Sequence, residues 1–164
     1  PTYSITIIDH APAALATDIL QLIGSASKTV CITKIKITAD ANSASELDFY
    51  GFKRSALNTG GTATHPTPLK FDSLNPASTA SVNLYSANPS ALGAGQIAMG
   101  TQFVIPGTSG NTWLPVVPAI YEFGNQTNQA MTLRGVNESF SISLNGQTLP
   151  AGLSLYINIE WTES

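Results

Sequence analysis

A chain of 164 residues, 43% of them hydrophobic, can bury about two thirds of its unfolded surface in one core and needs no covalent staple. Seven Lys plus Arg and a net charge of −3 leave no basic stripe for phosphates; the single cysteine excludes an internal disulfide and a Cys-rich zinc site; and no run approaches the ~18 apolar residues of a membrane helix. Only 10% of residues are charged, against about 25% in an average domain, so the surface is built from Ser, Thr, Asn, Gln, Ala and Gly, which suits packing against neighbours.

In chain order, Tyr3, Ile5 and Ile7 alternate with polar residues and predict a first strand. Residues 11–22 admit a helix by composition, but Ile19, Leu20, Leu22 and Ile23 form a short apolar run closed by Gly24 among β-rich surroundings, which favours a strand. From Lys28 to Thr38, Val30 and Ile32 fall on one face and Ile35 and Ile37 on the other. Such a change of parity marks a β-bulge, or a strand passing between two packing environments. Cys31, between Val30 and Ile32, reads as a small buried core residue. Leu47, Phe49 and Phe52 show a similar break at Gly51, and two breaks suit a strongly curved sheet.

Further strands are expected at 80–86, 97–105, 116–123 and 130–135. Phe140, Ile142 and Leu144 alternate into Asn145-Gly146, a dipeptide that tolerates the two positive φ angles of a type I′ turn. A hairpin is predicted there, with Gln147 to Leu149 as its return arm, stopped by Pro150. The most regular alternation is the last: Leu153, Leu155, Ile157, Ile159 and Trp161 share one face only in a strand. Burying each contributes about 1.5–3 kcal/mol before ordering costs.

Between these segments lie stretches rich in turn formers, at 58–68, 75–76, 88–95 and 106–111, several of them longer than hairpin loops. Eight to ten short strands joined by long loops predict one all-β domain over residues 1–164. The expected architecture is a jelly roll or Greek-key β-sandwich, not an up-and-down meander.

Chemistry is sparse. His10 follows Asp9, but adjacent strand residues point to opposite faces and no His-x-His or Glu-x-x-His partner is present. An exposed His beside a turn-forming Asp is the expectation. His65 sits in a Gly/Thr/Pro loop, no Gly-x-Ser-x-Gly elbow occurs, and the ten acidic residues are scattered. Gly60-Gly61 and Gly93-Ala-Gly95 are not followed by Lys-Ser/Thr, so no phosphate loop is indicated. The expectation is a protein that is not an enzyme, with no catalytic residue, no cofactor and no metal. Among the aromatics, Trp161 falls on the core phase of its strand. Tyr156 falls on the opposite phase, Trp113 in a Gly/Asn/Pro loop, and Tyr50 and Tyr121 on the β scaffold. These four are the candidate interface residues, with subunit contact favoured over carbohydrate.

The stretch from Lys53 to Thr67, Tyr85 to Pro89, Leu133-Arg134-Gly135, Leu144-Asn145-Gly146 and Ile159 to Glu163 resembles small β-rich proteins encoded among tailed-bacteriophage structural genes. The resemblance covers roughly residues 50–163 and contains no catalytic signature. It implies a virion structural protein, most like a capsid decoration (cement) protein on the capsid surface that stabilises the head. Its partners would be the major capsid protein and copies of itself, as a dimer or trimer, without direct contact to nucleic acid or membrane. If Pro1 follows a removed initiator Met, the chain is made in the host cytoplasm without a signal peptide. The alternative is a carbohydrate- or receptor-binding module of a tail or fibre.

Overall fold

The computed structural model describes residues 1–106, 116–125 and 129–164. Among them the chain forms twelve strands and no helix: β1 (Thr2–His10), β2 (Asp18–Ile23), β3 (Thr29–Asp40), β4 (Ser45–Arg54), β5 (Thr62–Thr64), β6 (Leu69–Lys70), β7 (Ser81–Ala87), β8 (Gly95–Ile105), β9 (Ala119–Glu122), β10 (Met131–Arg134), β11 (Ser139–Ser143) and β12 (Ser154–Glu163). The number exceeds the expected eight to ten because β5 arises inside the segment read as a loop at 58–68 and β6 just after it, where no strand was expected. They are only three and two residues long. They exist because the outer edges of β7 and β1 offer unpaired ladder groups for them to meet.

One sheet runs β10-β3-β12-β1-β6, with β9 also on β3; the other runs β5-β7-β2-β11-β4-β8. Every pairing is antiparallel, and the pairs nest: β1 with β12, β2 with β11, β3 with β10 and β9, β4 with β8. The chain is thus one long antiparallel ribbon, rolled so that β12 meets β3 and β11 meets β4. That is a jelly roll. A single hydrophobic cluster draws on both sheets. At its centre β12 buries Leu155, Ile157, Ile159 and Trp161, and the Trp161 ring stacks on Tyr3 of β1 with centroids 6.1 Å apart.

The parity break in β3 is a bulge. Glu160 pairs with Lys34 while Trp161 pairs with Ile32, so Thr33 is the extra residue and Val30, Ile32, Ile35 and Ile37 all reach the core. Cys31 therefore points away from it. The side chain is part-exposed, its Sγ 3.8 Å from Thr132 Oγ1, which corrects the expectation of a buried cysteine. At Gly51 the β4–β8 ladder also slips, leaving Ala98 unpaired. A Cβ on Gly51 would collide with Met99 and Phe140, so glycine is what lets β8 close over the core.

The predicted hairpin is only half there. Asn145 (φ 53°) and Gly146 (φ 72°) form the turn, closed by Gln147 N–H donating to Leu144 O at 3.2 Å. Its arms do not pair, because β11 belongs to one sheet and β12 to the other, and 147–150 is not a strand. Gln147 instead brackets Asp48 with its side-chain amide: Nε2 donates to Asp48 O at 2.6 Å, and Oε1 accepts from Asp48 N at 3.1 Å.

Candidate contact surfaces

Two buried ionic groups hold the long loops in place. Arg54 ends β4 and Asp18 begins β2, and β11 lies between those strands, so the guanidinium must cross β11 to reach its partner. It does so as a two-point pair, Nε to Oδ2 at 2.8 Å and Nη2 to Oδ1 at 2.7 Å, the strong geometry for Arg and carboxylate. The β11 residues beneath, Ser139, Ser141 and Ser143, are all buried; small side chains leave room for the crossing. Asn58 Nδ2 donates to Asp18 Oδ2 (2.8 Å) and its Oδ1 accepts from Gly93 N (2.9 Å), while Arg54 Nη1 donates to Gly93 O (2.6 Å). The segments after β4 and before β8 are thereby pinned to one anchor.

The second anchor is Glu163, 1% exposed at the end of β12. Its carboxylate accepts from Ser78 Oγ (2.5 Å), Thr79 Oγ1 (2.6 Å), Thr79 N (3.0 Å), Ala80 N (3.2 Å) and Trp161 Nε1 (3.2 Å). Burial pushes this carboxyl up, and the hydrogen bonds from Ser78, Thr79 and Ala80 more than reverse that, holding it at about 2 instead of 4.5. Burial, followed by the nearby Glu163 charge, pushes the Tyr3 phenol up, and its hydroxyl donates to Pro76 O at 3.0 Å.

The β6–β7 loop is fixed at its other end as well. Phe71 N donates to Thr2 O (3.1 Å) and Asn75 N to Asp72 O (3.1 Å), and Lys70 Nζ donates to Ser73 O and Asn75 O at 2.9 Å each. What the loop presents is apolar: Leu69 is 65%, Phe71 57% and Leu74 91% exposed.

The candidate interface residues do not converge. Tyr156 lies on the outer face of the β1–β12–β3 sheet, beside a groove of about 210 Å³ lined also by Ile8, Lys36, Thr38 and Asn158. Tyr50 lies on the other sheet, its ring 6.3 Å from Phe52. Tyr121 on β9 donates from Oη to Gly100 O of β8 at 3.3 Å, tying the two sheets along one edge. Trp113 lies outside the described residues. On the edge that Tyr121 ties, Phe103, Val104, Pro106, Val117 and Pro118 line a cleft of about 590 Å³, with Val104 68% and Val117 81% exposed.

His10 is half-buried, not exposed, because the bulge at Asp9 (φ 55°) turns it inward. Burial pushes its pKa down, and a contact with the Tyr85 main chain opposes this. The Asp9 carboxylate accepts from Ser154 Oγ instead of facing the imidazole. His65 is exposed between β5 and β6. Among the described residues no three His, Cys, Asp or Glu side chains are grouped to hold a metal ion.

Sequence reasoning missed both anchors and the apolar loop. The loop had a visible signal: Leu69, Phe71 and Leu74 stand among Pro68, Asn75 and Pro76, where buried apolar residues are not expected. The chain matches no protein-family model, and no curated protein and no solved structure is detectably similar to it.

Proposed function

We propose that this chain is a non-enzymatic structural protein of a phage particle, a decoration protein that attaches to the head shell and to copies of itself. The observation that carries the reading is the set of exposed large apolar side chains, with Phe71 and Leu74 on a loop tied by backbone hydrogen bonds, Val104 on the β4–β8 ladder and Val117 beside it across the cleft, on a chain with 10% charged residues. Apolar groups displayed in this way cost solubility and contribute nothing to the fold, which is expected where they are covered in an assembly. With few charges to desolvate, attachment rests on apolar and hydrogen-bonded area, and it withstands moderate salt better than an electrostatic contact does. Repetition over equivalent shell sites turns modest single contacts into durable attachment.

Purified protein added to pre-formed heads that lack it tests this. It should saturate many equivalent sites, and coated heads should resist heat and osmotic shock that burst bare ones. No binding and unchanged bursting would overturn the proposal.

A second reading, a receptor- or carbohydrate-binding module, draws on the Tyr156 groove, where a part-exposed ring lies beside Lys36, Thr38 and Asn158. Stacking on a sugar face with flanking polar groups is the chemistry such a site offers. A glycan array that lights up with the wild type and not with Tyr156→Ala would favour it.

A further inference from the structure

The apolar loop and the apolar cleft lie at opposite edges of the sandwich. β6, where the loop starts, is the last strand at one edge of its sheet, and β9, which borders the cleft, lies beyond β3 at the other. Four strand spacings of about 4.8 Å separate them, roughly 19 Å, so a copy does not fill its own cleft with its own loop. We propose that they are two halves of one self-association contact: the Phe71–Leu74 tip of one copy seats in the Val104–Val117–Pro118 cleft of the next. This rests on reading the chain as an assembling structural protein, and it names the partner and the surface.

Three observations favour a second copy as the occupant. First, the loop is already in shape for docking, its tip held by bonds that Lys70 donates and Asp72 accepts and its far end by bonds that Tyr3 donates and Glu163 accepts, so little ordering entropy opposes insertion. Second, both charges on the loop are engaged within it. Lys70 Nζ donates to Ser73 O and Asn75 O, and Asp72, itself exposed, accepts from Leu74 N at 2.9 Å through Oδ1, while Phe71 and Leu74 stand out on either side of it. Third, the receiving surface is matched in chemistry and size. No residue between Asp72 and Glu122 carries a charge, the cleft walls are mostly Phe, Val, Pro and Ala with the uncharged Thr101 and Gln102, and about 590 Å³ admits both side chains.

Loop-into-cleft contact is head-to-tail, so every copy keeps one free half until a ring closes. A ring is the form that suits a symmetry axis of a shell. The same logic supplies a test in which folding is not at stake, because Leu74 and Val117 are both largely exposed.

Leu74→Asp spoils the loop and spares the cleft; Val117→Asp does the reverse. In analytical ultracentrifugation the wild type should form a discrete ring. Each variant alone should be monomeric, weakened more than ~30-fold as for loss of an interface hot spot, with unchanged circular dichroism and melting temperature. An equal mixture of the two should form a heterodimer and nothing larger, since one intact contact remains per pair.

A monomeric wild type, a variant that keeps the wild-type assembly, or a mixture that stays monomeric would each overturn the contact. A monomeric wild type that still coats heads sinks this inference and leaves the decoration reading standing. Rings that ignore heads do the opposite.

Discussion

Glu163→Gln keeps the size of the side chain that anchors the β6–β7 loop and removes its charge. The amide loses one acceptor oxygen and sets an NH₂ against donors, of which Thr79 N and Ala80 N cannot turn away. A carboxyl held at about 2 in the folded chain instead of 4.5 stabilises the fold by about 3 kcal/mol at neutral pH, at about 1.4 kcal/mol per pH unit. That contribution is fully present above about pH 4.5 and is lost as the pH falls toward 2, because protonation removes the acceptor the loop depends on. Urea titrations of wild type and variant across this range measure it. The wild type should lead by about 2–3 kcal/mol at pH 7, equivalent to ~4–12 °C in melting temperature for a domain of this size, and the lead should shrink steadily below pH 4.5. A gap under about 0.5 kcal/mol at pH 7, or one as large at pH 3 as at pH 7, would refute the charged-anchor account.

Arg54→Ala takes the guanidinium away from the buried Asp18 side chain and leaves it the Asn58 amide, and should cost about 3–5 kcal/mol in chemical denaturation. Ile157→Asp, at a position 1% exposed, should prevent stable folding. Asn158→Asp gives up only the bonds from Nδ2 to Ile5 O and Thr6 Oγ1 and should cost about 1 kcal/mol or less in thermal melts. His10→Ala and His65→Ala should leave head stabilisation unchanged in the bursting assay; a large loss in either would speak for chemistry at that imidazole.

What the sequence made legible was whatever one strand carries alone. The alternation of Leu155, Ile157, Ile159 and Trp161 has a single solution, and the parity break between Ile32 and Ile35 announced the β3 bulge because a core face tolerates no slip. The turn at Asn145-Gly146 was also local and real. Its arms were not: pairing is settled by which core face Phe140 and Ile157 join, and that face lies across the sandwich. The anchors were hidden for the same reason, since Asp18 meets Arg54 and Glu163 meets Thr79 only after the ribbon has rolled up. Cys31 was misplaced by one phase, as its flanking Val30 and Ile32 suggested burial while the ladder turned it outward beside Thr132. The tyrosines were correctly read as lying off the core phase at Tyr156, but residue type alone carries no information on whether Tyr50, Tyr121 and Tyr156 share a surface.

A density map of intact phage particles, compared with particles from which this chain has been deleted, tests the central claim most directly. The account predicts difference density at many equivalent positions on the outside of the head shell, each fitted by the jelly roll with Phe71 and Leu74 covered by a neighbouring chain. Difference density confined to the tail tip or fibres, or none in the particle at all, would contradict it.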